Sequence, residues 1–163
     1  LIEELIKFEK NRPLKLGHGD LCFNNILVDP IFGDLKLIDP KADKHEKLNF
    51  YGLTDSFYDL SKLNHSIEGL YDSIVNNLFN LDIFDSNNIN LEIYKSPEYE
   101  IFNSYFKEIM IQKKISRKRL RILTGNLFLS MLPLHIDDKE RIFALGLMGG
   151  IFINEYPIKK IFL

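Results

Sequence analysis

The sequence has little of several features that would mark other classes of protein. Its 163 residues include no tryptophan and a single cysteine, Cys22, so an intrachain disulfide is impossible. It has no run of about 18 apolar residues, the length that a transmembrane helix needs. The formal net charge is −2, which gives no overall attraction for nucleic acid. These absences favour a chain that works in a reducing compartment without binding nucleic acid or a membrane.

Apolar side chains are plentiful enough for one packed core. Hydrophobic residues make up 45% of the sequence, with 13 Phe and 7 Tyr among them. The first four residues lack the basic start of a secretory signal, so we expect a cytoplasmic location. The sequence opens without Met inside an apparent helix, and we expect that upstream sequence has been removed, with processing as the alternative.

The order of apolar and turn residues predicts an α+β chain that is mostly helical. Helical spacing is expected over residues 1–12 and ends at Pro13. Two glycines that flank a histidine favour a tightly turned loop over residues 15–20. Residues 26–28 and 35–38 are β-prone, and Pro and Gly separate them, which predicts a β-hairpin with a loop at each end.

Further along, the pattern predicts more helices and a second hairpin. Apolar residues recur every three or four positions over residues 56–79, as one buried face of a single long helix requires, and we place its start near Asp55. Residues 81–94 resemble a second hairpin. The remaining helices are expected after Ser96, between Ser116 and Pro133, and from Asp137 or Asp138 to Gly149 and Gly150, which weaken it.

One constellation of residues carries chemical information. It runs His18, Gly19, Asp20, four residues, Asn25, the first hairpin, and Asp39. Phosphoryl transfer to an alcohol needs a group that receives the proton of the hydroxyl and a divalent metal that neutralises phosphate charge. Asp20 suits the first task, while the amide oxygen of Asn25 and the carboxylate of Asp39 are hard oxygen ligands that suit magnesium.

The hairpin explains why residues distant in sequence would meet. Antiparallel strands return the chain to where it began, so the loop before the first strand lies beside the residue that follows the second. We therefore expect Asn25 and Asp39 to bind one metal ion beside Asp20.

Residues 17–39 resemble the catalytic loop and metal-binding Asp of the aminoglycoside phosphotransferase/choline kinase family, which shares its fold with protein kinases. The resemblance implies that Asp20 is the catalytic base and that Asn25 and Asp39 hold Mg2+. It also implies that His18 braces the loop. Asp59, within a segment similar to the helix start that follows the metal ligand in this family, is expected to bond nearby backbone rather than a metal.

Weaker similarity extends along the chain. Residues 64–72 and 131–135 resemble family members associated with bacterial capsule or surface-polysaccharide synthesis. The 17 residues before His18 contain no Gly-rich phosphate loop and no strand-borne lysine. We therefore expect residues 1–163 to form a single carboxyl-terminal lobe, without the amino-terminal nucleotide-clamping lobe, and to be inactive in isolation. Pro40, Lys41 and Ala42 depart from the family pattern after Asp39 and leave the shape of that loop open.

The resemblance thus implies an ATP- or GTP-dependent, Mg2+-dependent phosphotransferase that acts on a hydroxyl of a sugar, an amino alcohol or an aminoglycoside-like molecule. One alternative is a non-catalytic kinase-like module that binds a sugar or a protein. Another is the kinase-like part of a bifunctional nucleotidyltransferase. The acceptor and the oligomeric state are not predicted.

Other polar residues are expected to have ordinary structural roles. Cys22 is interpreted as a small buried apolar residue. Three histidines lack the spacing of a metal site and are assigned to the surface or to partners: His45, His65 and His135. The basic residues between Lys113 and Arg121 are interpreted as a solvated helix junction.

Overall fold

Helices and small antiparallel sheets alternate along the chain. The computed structural model describes residues 14–41, 43–45, 50–85 and 88–154, together with Glu3 and Ile6. The predicted α+β class, mostly helical, is confirmed for these residues. Its strands are β1 (Leu14–Leu16), β2 (Ile26–Val28), β3 (Leu35–Leu37), β4 (Asp43–His45), β5 (Phe50–Asp55), β6 (Phe79–Asp85) and β7 (Asn88–Ile93). Its α-helices are α1 (Ser56–Ile67), α2 (Tyr71–Val75), α3 (Tyr99–Gln112), α4 (Arg117–Met131) and α5 (Lys139–Asn154).

Both predicted hairpins are confirmed. Strands β2 and β3 pair antiparallel with Ile26 opposite Leu37, and β6 pairs with β7 in the same way. In the first hairpin, Oδ1 of Asp29 accepts hydrogen bonds from two backbone N–H groups of the turn, at 2.7 and 3.0 Å. Gly33 supplies the positive φ that closes this turn. The turn chemistry therefore fixes the register that brings Asn25 and Asp39 to the same end of the hairpin.

A three-stranded sheet, in the order β1-β5-β4, was not predicted. Leu16 pairs with Leu53, and β5 leads directly into α1. Part of the predicted loop, Lys15 and Leu16, is therefore strand. The consequence for the site is that the loop after β1 and the start of α1 leave the sheet from adjacent strands.

The single helix predicted over residues 56–79 is wrong, although its start is confirmed. Oδ1 of Asp55 accepts a hydrogen bond from the N–H of Phe57 and caps α1, but the helix ends at Ile67. Leu70 has a φ of 53°, which no right-handed helix continues through. A Cβ at Gly69 would overlap the ring of Phe128, so the chain turns here through a close approach to α4.

The remaining helices begin close to the predicted caps. Ser116 caps α4 by accepting a hydrogen bond from the N–H of Arg119, and Asp138 caps α5 through the N–H of Arg141. Helix α3 begins at Tyr99, two residues later than expected. The helix predicted over residues 1–12 lies outside the described residues, except for Glu3 and Ile6, which are helical. None of the described helices is long and apolar enough to cross a membrane.

The main core lies where α4 and α5 pack against α2 and β7. Its buried members are Leu70, Ile74, Leu91, Ile93, Phe128, Ala144, Leu145, Met148, Ile151 and Phe152. The interpretation of the basic run as solvated is wrong for two of its members. Arg119 and Arg121 are buried, where Arg119 pairs with Asp55 at 2.8 Å and Arg121 donates to the carbonyl of Ile151.

Gly125 of α4 and Gly149 of α5 let these two helices cross closely. A Cβ at Gly125 would lie 2.7 Å from Cγ1 of Ile153 and 3.0 Å from the carbonyl oxygen of Gly149. A Cβ at Gly150, by contrast, would meet nothing within 4 Å. Although Gly149 and Gly150 were expected to weaken α5, the helix continues through both to Asn154, because packing against α4 offsets their low helix propensity.

Substituting these glycines tests the crossing. Gly125→Ala is expected to lower the free energy of unfolding by about 1–3 kcal/mol, because the backbone of α5 must move away. Gly150→Ala is the matched control and is expected to raise it by about 0.5–1 kcal/mol through helix propensity. Urea denaturation followed by circular dichroism measures both changes. Equal effects of the two substitutions would contradict the close approach.

Candidate functional site

The loop after β1, residues 17–25, carries the first residues of the predicted site. Gly17 begins it at a point where a Cβ would overlap the side chains of Thr54 and Asp59. Gly19 has a φ of 79°, a conformation that favours glycine. The two glycines that flank His18 therefore have different roles. Gly17 allows the close approach of Thr54 and Asp59, and Gly19 allows the turn.

A buried carboxylate holds this loop in place. Oδ2 of Asp59 accepts a hydrogen bond of 2.7 Å from the N–H of His18, and Oδ1 accepts one of 2.8 Å from the N–H of Gly19. Asp59 is in the first turn of α1 and only 9% exposed. Both of its oxygens therefore bind loop backbone.

His18 connects the loop to the end of the first hairpin. Its Nδ1 accepts a hydrogen bond from the N–H of Asp20 at 3.2 Å, and its Nε2 lies 2.9 Å from the carbonyl oxygen of Ile38. This pattern requires the neutral tautomer with the proton on Nε2. The carbonyl of His18 also accepts the N–H of Lys41 at 2.8 Å. His18 thus contacts the chain on both sides of Asp39.

The carboxylate of Asp20 lies between two lysines. Lys62 contacts Oδ1 at 3.0 Å, and Lys41 donates to Oδ2 at 2.9 Å. Burial alone would raise the pKa of Asp20, but the hydrogen bonds from Lys41 and Lys62 outweigh it, so the pKa is lowered. Asp20 is therefore an anion at neutral pH.

The predicted metal ligands Asn25 and Asp39 lie at the same end of the first hairpin. The backbone of Ile38 donates to the carbonyl of Asn25 at 3.0 Å, so Asn25 lies next to the residue that precedes Asp39. The side-chain nitrogen of Asn25 donates to the carbonyl of Asp20 at 2.8 Å, which leaves Oδ1 as the atom outside that bond. Asp39 has a φ of 53°, a left-handed conformation that is uncommon for a non-glycine residue.

The position between the two carboxylates suits a cation. The ammonium of Lys41 contacts Oδ2 of Asp20 at 2.9 Å and Oδ2 of Asp39 at 3.2 Å. Hydrogen bonds to Asp20 and then Asp39 raise the pKa of Lys41. Carboxylate and amide oxygens are the ligands that Mg2+ uses in proteins, and the donor set of Asn25 and Asp39 fits it.

Polar side chains on one face of α1 contact successive residues of the 17–25 loop. Asp59 binds the N–H groups of His18 and Gly19, Lys62 contacts Asp20, and Oγ of Ser66 accepts the N–H of Phe23 at 3.3 Å. We call Asp59, Lys62 and Ser66 the polar face of α1. The roles of Lys62 and Ser66 were not predicted. Their spacing from Asp59, three and seven residues, places all three on one helix face and was the signal available in the sequence.

A cleft of about 250 Å³ adjoins the loop at Phe23. Its lining includes the aromatic residues Phe23, Tyr94, Tyr99 and Phe102 together with Asp72. Both carboxylate oxygens of Asp72 are buried, and the Ser66 hydroxyl and the N–H of Asp72 lie close to them, although neither makes a hydrogen bond of good geometry. Burial raises the pKa of Asp72, and the nearby Ser66 hydroxyl offsets only part of that rise.

Cys22, in the 17–25 loop, is affected by the charge of Asp20 in the same loop and by that of Asp72 in the cleft. The side chain of Cys22, predicted to be buried, is partly buried. Burial raises the pKa of its thiol, and the negative charges of Asp20 and Asp72 raise it further. Both carboxylates therefore act on the same short stretch of chain.

The assignment of the histidines to the surface is wrong for His65. Its ring is 1% exposed and packs on the rings of Tyr71 and Phe128, with centroids 4.2 and 4.0 Å away. Burial, followed by the charge of Lys62, lowers the pKa of His65 to about 3, so it is neutral. His135 is partly buried and lies 3.4 Å from the hydroxyl of Tyr71. The side chain of His45 lies outside the described residues.

No protein-family model, no curated protein and no solved structure matches this chain. The site is therefore interpreted from its own geometry.

The bonds of Asp59 can be tested by removing one acceptor. Asp59→Asn places an amide N–H₂ against one of two backbone donors, so the free energy of unfolding is expected to fall by about 1–3 kcal/mol. Hydrogen exchange at His18 and Gly19 should accelerate in the same variant. Asp29→Asn is the control, because Asp29 uses only Oδ1 to accept both of its backbone bonds and is exposed. Unchanged exchange at His18 and Gly19 would contradict the role assigned to Asp59.

Proposed function

We propose that this protein is the acceptor-binding and catalytic part of a Mg2+- and nucleotide-dependent phosphotransferase that acts on a hydroxyl of a small molecule. The observation that carries the proposal is the convergence of Asp20, Asn25 and Asp39 at one end of the first hairpin. Asp20 and Asp39 share one ammonium group, and Asn25 is bonded to the backbone of Asp20. A carboxylate that can accept a proton, beside an amide oxygen and a second carboxylate that can bind a metal, is the set of groups that phosphoryl transfer to an alcohol needs.

The proposed role of Asp20 follows from its charge and surroundings. An ionised carboxylate accepts a hydrogen bond from the acceptor hydroxyl and orients its oxygen toward the phosphorus. Because two lysines lower its pKa, Asp20 is a weak base, and it receives the proton as the new phosphorus–oxygen bond forms. Orientation and late proton acceptance are what this reaction requires.

Asn25 and Asp39 would hold the metal through the amide and carboxylate oxygens. A magnesium ion held by these two side chains would supply the charge neutralisation that the transferring phosphate needs. The left-handed backbone at Asp39 supports the proposal, because strained conformations concentrate where side chains must be aimed at a site. The nucleotide, ATP or GTP, would lie on the Asp39 side of the site. A precursor of a capsule or surface polysaccharide is a candidate acceptor.

Substitution of Asp20 tests the reaction in the natural full-length protein. With radiolabelled ATP, Mg2+ and a panel of ethanolamine, choline, glucosamine, glucose and glycerol, Asp20→Asn is expected to lower transfer by about 10²-fold to 10⁴-fold, as loss of a general base commonly does. Asp34→Asn, an exposed carboxylate of the hairpin turn, is the control and should keep full activity. Undiminished transfer by Asp20→Asn would remove Asp20 from the mechanism.

A nucleotide titration separates this proposal from a non-catalytic binding module. Addition of MgADP should perturb the NMR signals of Asn25 and Asp39 if they hold the metal. Signals that do not change, together with an absence of transfer, would favour a kinase-like module that binds a sugar or a protein.

The cleft beside Phe23 is the proposed acceptor site. A buried carboxylate is costly unless a cation or hydrogen-bond donors meet it, and at Asp72 the Ser66 hydroxyl and the residue's own N–H offset only part of that cost. Aromatic rings around it also favour a cation. Among the candidate acceptors, these features favour an alcohol that carries an amino group over a neutral sugar.

Substitution of Asp72 tests the acceptor site. Asp72→Asn is expected to raise KM for ethanolamine by on the order of 10-fold to 100-fold, because a charge-assisted contact is lost. KM for glycerol should change little. Asp82→Asn, an exposed carboxylate on β6, is the control. Equal changes for ethanolamine and glycerol would contradict an amine contact at Asp72.

A further inference from the structure

The two lysines that contact Asp20 differ in how firmly they are held. The side chain of Lys62 is 12% exposed, whereas that of Lys41 is 58% exposed. Lys62 belongs to α1, one turn after the carboxylate that fixes the loop, and Lys41 belongs to the segment after β3. Lys41 also divides its contacts between Asp20 and Asp39. Lys62 is therefore the less exposed of the two partners of Asp20.

The same helix fixes both the backbone and the side chain of the loop. Asp59 holds the N–H groups of His18 and Gly19, and Lys62, three residues later, holds the carboxylate of Asp20. A long lysine side chain gains a defined position here because little of it is exposed. It also lies 5.9 Å from the ring centroid of Tyr58 on the same helix.

Each oxygen of Asp20 has a different neighbour. Oδ1 contacts Lys62 and faces the polar face of α1, while Oδ2 contacts the exposed Lys41, which also contacts Asp39. A group that enters from the side of Asp39 therefore reaches Oδ2 by displacing the exposed Lys41 and leaves Lys62 in place.

We propose that Lys62 is a positioning residue for phosphoryl transfer, which binds Oδ1 of Asp20 and leaves Oδ2 as the oxygen that receives the proton of the acceptor hydroxyl. This inference rests on the proposed function. In the transfer, the acceptor oxygen bonds to the terminal phosphorus of the nucleotide, the bond from that phosphorus to the diphosphate oxygen breaks, and the hydroxyl proton passes to Oδ2. Lys62 stays on Oδ1 and takes no part in bond breaking.

A role in positioning predicts a defined kinetic change. In the full-length protein, Lys62→Met is expected to lower kcat by on the order of 10-fold to 100-fold, as loss of an outer partner of a functional side chain commonly does. KM for the acceptor that the wild type uses and Kd for MgADP should stay within about twofold, because Lys62 contacts neither Asn25 nor Asp39. Lys62→Arg keeps the charge and should recover part of kcat. Lys36→Met, an exposed lysine of β3, is the control.

A thermodynamic cycle tests the pairing without turnover. Urea unfolding of Lys62→Met, Asp20→Asn and the double variant should give non-additive changes, because the two side chains interact directly. Additive changes, or a Lys62→Met variant with unchanged kcat beside an inactive Asp20→Asn variant, would overturn the inference while leaving the proposed function standing. If the wild type and Asp20→Asn are equally unable to transfer phosphate, the proposed function itself is wrong and Lys62 positions no base.

Discussion

The carboxylate of Asp59 is the constraint on which the rest of the site depends. It accepts the N–H groups of two successive loop residues, His18 and Gly19, in a position that is nearly closed to water. Neither N–H belongs to a helix or a strand, so without Asp59 both would be buried donors in need of another partner. An anion that meets two donors also offsets the cost of its own burial. Gly17 makes this approach possible because a side chain at that position would occupy the space of the carboxylate.

Asp59 is effective because α1 is held rigidly from its other side. Asp55, at the cap of α1, pairs with the buried Arg119 of α4, and Asn64 donates to Oγ1 of Thr124 on the same helix at 3.0 Å. These polar contacts account for the burial of Asp55 and Asn64. Contacts with α4, including the packing of Ile67 on Leu120, therefore fix α1, and α1 in turn fixes the loop.

The sequence predicted the parts of the fold that local chemistry decides. The first hairpin follows from Asp29, which bonds its own turn, and from Gly33, which takes the positive φ. The start of α1 follows from Asp55, and the starts of α4 and α5 from Ser116 and Asp138. In each case, the residues that decide the structure lie within four positions of one another.

Features that depend on distant residues were missed or predicted wrongly. The break after α1 depends on Gly69 approaching Phe128, which is far along the chain, while the apolar spacing continues through the break. The burial of Arg119 depends on Asp55 in the same way. For the site, the order of Asp20, Asn25 and Asp39 was visible, but the contact of Lys62 with Asp20 required knowing which face of α1 meets the loop.

His18 completes the connection from the core to the hairpin. Its backbone N–H is held by Asp59, its Nε2 donates to the carbonyl of Ile38, and its own carbonyl accepts the N–H of Lys41. Asp39 is therefore held on both sides by one residue, which explains how a left-handed backbone that costs on the order of 1 kcal/mol persists there. Asp20 and Asp39 belong to different segments, yet α1 positions both. Lys62 contacts Asp20 directly, while Asp59 holds His18, which in turn holds the chain on both sides of Asp39. A site that must align a proton acceptor with a metal ligand requires such a common reference, because an error in either position would misalign the acceptor oxygen and the phosphorus.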